Sequence, residues 1–284
     1  LSHLARAIWT VRGGASLGDG RQSLIAGIVN VTPDSFFDGG RYNSPLAAVA
    51  HGLTLLAQGA DMLDVGGQST RPGAAPVDAA EEMRRTVPVV EALAARAPVS
   101  IDTFNAEVAA AALTAGAVIV NDISACRFDP ALADVLAEFK PGYVLMHSLG
   151  RPETMQTAPV YDDVVSDILA FFEERLRALV SAGLPEENVA LDPGIGFGKT
   201  LEHNLAIMRG VERFFTFGRP LYVGVSNKSW TREFYGQGAD LRGPATQTAT
   251  ALLAAKGVLV HRVHDVAATA ATLALTRAIA GGRE

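Results

Sequence analysis

Eight short apolar runs, each followed by polar residues and then by a helical stretch, constrain this chain more than any other feature. The runs are Leu24–Val29, Met62–Val65, Val99–Ile101, Val118–Val120, Tyr143–Met146, Val189–Leu191, Leu221–Val225 and Val260–Val263. Each is nearly continuous in apolar residues, as strands buried on both faces of a parallel sheet are. Between them lie Ala- and Leu-rich stretches with helical character: Leu46–Gln58, Ala79–Arg96, Ala106–Ala115, Val164–Ser181, Thr246–Lys256 and Val266–Ala280. Gly59, Gly116, Gly183 and Gly257 fall near helix ends, where glycine takes positive φ without steric cost. Eight β-α units predict an α/β protein built as a single-domain (β/α)8 TIM barrel. An open doubly wound sheet competes, but no G-x-G-x-x-G turn follows the first strand. The length, 284 residues, suits one large barrel, and no shift of composition marks a boundary. The barrel is assigned to residues 24–284, with 1–23 an N-terminal extension leading into it.

Composition removes several classes of function. The net charge of −6 argues against a nucleic-acid partner, which leaves a basic stripe. No run reaches the roughly 18 apolar residues of a membrane span, and Leu1–Val11 does not read as a secretory leader. Cys126 is the one cysteine, which excludes an intrachain disulfide and a thiolate zinc site. That usage fits a reducing cytoplasm, and Cys126 reads as a small buried thiol rather than a nucleophile.

In a barrel of this kind the active site lies at the C-terminal ends of the strands. Every predicted strand ends in polar groups: Asn30, Asp64, Asp102, Asn121-Asp122, His147, Asp192, Ser226-Asn227-Lys228 and Arg262-Val263-His264. Asp102, Asn121 and Asp192 suit a ring edge carrying an amino group beside a ring N–H, because a carboxylate meets two such donors at once. Lys228 could meet a ring carbonyl, and Phe197 is a candidate apolar wall. Arg262, His264 and Asn30 offer donors for an anion at the rim, where the planar fork of arginine suits phosphate. An acidic floor under a cationic rim fits a pterin or purine-like ring bearing phosphate. Two Gly/Pro-rich segments, Thr32–Asn43 and Gly66–Pro76, are placed as lids are. Asp192–Lys199, DPGIGFGK, lacks the spacing of a nucleotide P-loop, and its glycines are expected to allow close backbone approach.

These segments, in order, resemble the dihydropteroate synthase family. The matching stretches are NVTPDSFFDGG from Asn30, GGQSTRPG from Gly66, SIDT from Ser100, NDIS from Asn121, MHSLGRPETMQ from Met146, DPGIGFGK from Asp192, SNKSW from Ser226 and RVHDV from Arg262. The resemblance implies that 6-hydroxymethyl-7,8-dihydropterin pyrophosphate is joined to p-aminobenzoate, giving 7,8-dihydropteroate and pyrophosphate. It also implies a homodimer, with Mg2+ as cofactor. By motif position, Asp102, Asn121, Asp192, Phe197, Lys228 and Arg262 would bind the pterin. Asn30, Arg262 and His264 would hold the pyrophosphate, and Asn30 its metal. Phe36, Thr70, Pro72 and Ser229 would shape the p-aminobenzoate site. Asp38, in the first lid, would join Lys228, Arg262 and His264 in catalysis.

Three positions depart from the family pattern: Gln68 stands where glutamate is usual, Asn227 where arginine is, and Ser148 where methionine is. The second reading is a pterin-binding barrel without synthase activity, of the methyltransferase type. Those barrels lack the two lid motifs.

Overall fold

The structure, a computed structural model, describes residues 8–18, 22–31, 45–68, 77–234 and 241–280, without the side chains of Ser229 and Trp230. Its first element is a short antiparallel hairpin, β1 (Trp9–Thr10) and β2 (Ser16–Leu17). Eight parallel strands follow: β3 (Leu24–Asn30), β4 (Met62–Gly66), β5 (Val99–Asp102), β6 (Ile119–Asp122), β7 (Gly142–Met146), β8 (Val189–Asp192), β9 (Tyr222–Val223) and β10 (Val260–Val263). They pair in chain order from β3 to β8, β10 joins β3 to β9, and a parallel bridge Leu191↔Leu221 closes the ring. The expected barrel is thus present.

Helices α1 (Pro45–Ala57), α2 (Ala79–Ala94), α3 (Ala106–Thr114), α4 (Leu132–Phe139), α5 (Val164–Ala182), α6 (Leu201–Arg209), α7 (Arg242–Ala255) and α8 (Val266–Ile279) alternate with the strands. Short polar side chains start most of them. Asp78, Asn105, Asp163, Thr200 and Asp265 each accept a backbone N–H of the first turn, the usual role of an N-cap. Helix α7 begins a turn before the expected Thr246, taking in Gly243 and Pro244. Proline in a first turn forfeits no intrahelical bond, so the pair does not break the helix there. Leu221–Val225 yields only a two-residue strand, with Leu221 held by the closing bridge.

The strand ladders run into the polar ends, because backbone hydrogen bonds do not depend on side-chain polarity. Side chains two residues apart share a face. Met62, Ile119, Val144, Ala190, Tyr222 and Val260 fill the lower interior with Leu24, Ala26 and Trp9. The same period therefore sends Asp64, Asn121, Asp192 and Arg262 inward one layer higher, at the mouth. The hairpin plugs the opposite end. Trp9 is fully buried, packs edge-on to Tyr222 with ring centroids 6.1 Å apart, and donates its indole N–H to the Asn188 carbonyl at 2.7 Å.

Candidate active site at the C-terminal mouth

The floor is a network centred on Arg262. Its Nε donates to Asp64 Oδ2 at 2.5 Å and its Nη2 to Asp102 Oδ2 at 2.6 Å. Asn121 Nδ2 donates to the same Asp64 oxygen at 3.0 Å. Register explains the arrangement: Asp102 on β5 pairs with Asn121 on β6, and Gly66 on β4 with Asp102. Asp64 is fully buried, and its Oδ1 has no hydrogen-bond partner among the described residues. One guanidinium cannot neutralise two buried carboxylates. Burial, only partly offset by Arg262, raises Asp102 to about 7. Burial opposes the Arg262 charge in turn, yet Asp64 and Asp102 hold its pKa above the ordinary arginine value.

Arg262 thus commits its Nε and Nη2 to the floor carboxylates. Asn121 commits one amide hydrogen to Asp64, and its carbonyl oxygen is the atom that can accept. Sequence reasoning had seen Asp64 only as one more polar strand end. Its partners Arg262 and Asn121, 198 and 57 residues away along the chain, carry no local signal.

Asp192 closes the wall. It is buried, and its Oδ1 accepts the Gly194 N–H at 2.7 Å. Burial raises it to about 6, against that hydrogen bond and the nearby Lys228 charge. Lys228, half-buried, lies with its Nζ 4.2 Å from the centroid of the Phe197 ring. Burial lowers it to about 8, against the pull of Asp192. The wall loop is shaped by glycine: Gly194, Gly196 and Gly198 have φ of 68°, 81° and 67°. A Cβ on Gly194 would stand 1.9 Å from the His147 carbonyl oxygen, so the expected close approach is real.

Beneath this loop Lys199 is buried with its Nζ 3.0 Å from His147 Nδ1 and 3.0 Å from the Phe197 carbonyl oxygen. Burial lowers Lys199 to about 7, and burial together with the Lys199 charge lowers His147 to about 2. The pair ties the ends of β7 and β8 together. His147 therefore acts as a neutral strut.

At the far side, His264 follows β10 and Asn30 ends β3, both half-buried. Asn227 takes a left-handed backbone, φ 55°, with its N–H on Thr246 Oγ1 at 3.0 Å and its side chain exposed. Gln68 is half-buried beside Gly67, whose carbonyl accepts from Arg85 at 3.0 Å. Ser148 is buried and donates to the Gly150 carbonyl. Phe36, Asp38, Thr70 and Pro72 lie outside the described residues, as does the side chain of Ser229. Cys126 is buried against Tyr143, and burial with Asp122 raises its thiol to about 12, an inert form.

A carboxylate-and-amide floor, a lysine over an aromatic wall and a histidine at the rim now stand in one mouth. The family described as "Pterin binding enzyme" matches residues 26–264. The dihydropteroate synthase of Escherichia coli (strain K12) is 41% identical over 262 residues, covering 92% of this chain and 93% of the relative. That of Mycobacterium leprae is 44% identical, covering 86% and 89%. The chain belongs to the dihydropteroate synthase family. Solved structures agree. A Yersinia pestis dihydropteroate synthase in a sulfonamide drug complex superposes with a TM-score of 0.89 at 39% identity, covering 96% of this chain and 98% of the other. The Xanthomonas albilineans dihydropteroate synthase in complex with 7,8-dihydropteroate gives 0.85 at 39%, covering 96% and 100%. The acidic and arginine positions of the mouth fall on separate strands and Lys228 follows β9, and the barrel brings them together. No helix among the described residues is long and apolar enough to cross a membrane.

Proposed function

We propose that this chain is a dihydropteroate synthase, condensing 6-hydroxymethyl-7,8-dihydropterin pyrophosphate with p-aminobenzoate to give 7,8-dihydropteroate and pyrophosphate. The observation that carries it is the Asp102–Arg262–Asp64–Asn121 floor facing Asp192 and Lys228 in a chain of this family. A pterin edge presents an amino group beside a ring N–H. Asp192 Oδ2, left over from the Gly194 bond, and the Asn121 carbonyl accept such donors, and Lys228 donates to the ring carbonyl. Phe197 bounds the ring on one side. Asp102 and Arg262 complete the edge.

The pyrophosphate then extends toward Asn30 and His264. When bound, Mg2+ would neutralise charge on the leaving oxygens. It takes few protein ligands, keeping waters and phosphate oxygens, and the single amide oxygen of Asn30 fits that habit. Among the described residues no group of three His, Cys, Asp or Glu side chains forms an alternative metal site. Arg262 and His264 donate to the departing anion, whose charge grows as the methylene C–O bond breaks. The amine nitrogen of p-aminobenzoate forms the new C–N bond, the C–O electron pair leaves with pyrophosphate, and the amine proton passes to solvent. Asp38 would stabilise positive charge on the methylene, and Phe36, Thr70, Pro72 and Ser229 would seat p-aminobenzoate.

A homodimer in the cytoplasm is part of the same proposal. Helices α7 and α8 expose Leu252, Leu275 and Ile279, apolar surface that a second copy would cover. The test of function is pyrophosphate release from the pterin pyrophosphate with and without p-aminobenzoate. Release that depends on the amine, with dihydropteroate formed, is expected. Pterin binding with no condensation would favour the non-synthase barrel instead.

A further inference from the structure

The end of the β9 ladder positions a side chain that the proposed reaction does not itself use. Strand β10 pairs with β9 in parallel, Val260 with Tyr222 and His261 with Val223. Carrying that register past the ladder puts Arg262 beside Gly224 and His264 beside Ser226. A Cβ on Gly224 would stand 3.8 Å from Arg262 Cβ, an ordinary contact that confirms the two residues as neighbours. Ser226 is buried. Its Oγ lies 3.2 Å from the His264 backbone nitrogen, whose N–H it accepts, and 2.9 Å from His264 Nδ1.

We propose that Ser226 is a positioning residue that fixes the His264 ring as the tautomer with its proton on Nε2, so that Nε2–H faces the anion. A serine hydroxyl has one proton and two lone pairs. One lone pair takes the backbone N–H of His264. If Nδ1 also carried a proton, it would occupy the second lone pair, and the Ser226 proton would need a third partner. Among the described residues, both hydrogen bonds of Ser226 go to His264. A buried hydroxyl proton left unmade costs about 1–3 kcal/mol. The hydroxyl therefore donates to a bare Nδ1, and the ring proton resides on Nε2. The tautomer of a histidine is set in this way by what its other nitrogen meets. The backbone bond also clamps the hydroxyl, which holds the ring plane still before ligand arrives.

The inference rests on the reading of His264 as a pyrophosphate ligand, and the experiment separates the two. Long-range 15N–1H correlation spectra of 15N-histidine-labelled protein at about pH 8, above the ordinary histidine pKa, report the tautomer of each of the six histidines. His264→Gln assigns the signal. Wild type is expected to show a protonated Nε2 and a bare Nδ1 at His264. Ser226→Ala should shift the signal to a mixture, and Ser226→Thr, which keeps the hydroxyl, should restore it. Calorimetric titration with inorganic pyrophosphate and Mg2+ should show roughly a tenfold loss for Ser226→Ala, as losing about 1.4 kcal/mol of an aligned bond would give, and recovery for Ser226→Thr. A proton on Nδ1 in wild type, or a tautomer indifferent to Ser226→Ala, overturns the proposal. A tautomer that moves while pyrophosphate affinity is unchanged in both Ser226→Ala and His264→Gln removes His264 from the anion site.

Discussion

Asp192 illustrates how a single side chain serves two partners. Its Oδ1 is taken by the Gly194 N–H, so Oδ2 is the oxygen free for the pterin. In Asp192→Asn the amide oxygen must stay on Gly194, which turns the NH2 group toward ring donors. Donor then faces donor in a buried site, at a cost of about 1–3 kcal/mol. Calorimetric titration should show pterin pyrophosphate binding roughly ten- to a hundredfold weaker, and affinity within twofold of wild type would refute the assignment. Glu82 offers a test by pH. It is buried beside Gly67 and Thr103, and burial raises it to about 7, against the Thr103 hydrogen bond and Arg85. Its folded pKa lies above the ordinary 4.5, so its contribution is full below that value and is lost as pH rises through about 7. Relative to Glu82→Gln, wild type should lose about 2–3 kcal/mol of stability between pH 5 and 8. Urea midpoints at the two pH values would measure it. A constant difference between the two proteins would show that Glu82 titrates normally.

Among the elements, the β8–α6 loop is the least tolerant of change. Gly194 combines a left-handed φ with a backbone oxygen where a Cβ would stand. Gly194→Ala should cost more than about 3 kcal/mol, since both the strain and the contact must be relieved. It should also abolish turnover by releasing Asp192. Gly218, φ 62° with nothing within 4 Å of an added Cβ, isolates the first effect. Gly218→Ala should cost only about 1–2 kcal/mol. Equal urea midpoints for the two variants would show that the His147 contact is not limiting. The N-terminal hairpin is an element of a different kind. Its two-residue strands cannot stand alone, and Trp9 holds them under the barrel. Trp9→Ala should lower stability by about 3–5 kcal/mol. Because Trp9 lies at the end opposite the mouth, the folded fraction should keep its KM for p-aminobenzoate, and a raised KM would tie the hairpin to the site.

At the scale of the whole molecule, the exposed apolar residues of α7 and α8 bear on assembly. Contiguous exposed apolar surface marks an interaction face. Leu275→Glu should convert a dimer to a monomer in sedimentation velocity with little loss in the stability of the subunit. A wild-type protein that sediments as a monomer at micromolar concentration would end the dimer proposal. The barrel itself places Asn121, Asp192 and Arg262 in a layer one step above the apolar layer of Ile119, Ala190 and Val260. Stability and chemistry thus share the same strands, two residues apart.

The sequence by itself determined the barrel and its mouth. Eight apolar runs demanded strands buried on both faces, and the alternation of inward positions carried Asp64, Asn121, Asp192 and Arg262 to one end. The motifs that carry the family resemblance were equally legible, since they lie in short contiguous segments. Four features were decided only by tertiary structure. The two-residue β9 and the Trp9 plug depend on contacts with Leu191 and Asn188, far along the chain. Arg262 could have faced the rim or the floor until the Asp64 and Asp102 carboxylates claimed it. Ser226 and His264 are 38 residues apart and meet only because parallel register continues beyond the ladder. Composition and periodicity report which face a residue occupies. Which partner it meets there depends on strand register and closure of the ring, which no local stretch of sequence encodes.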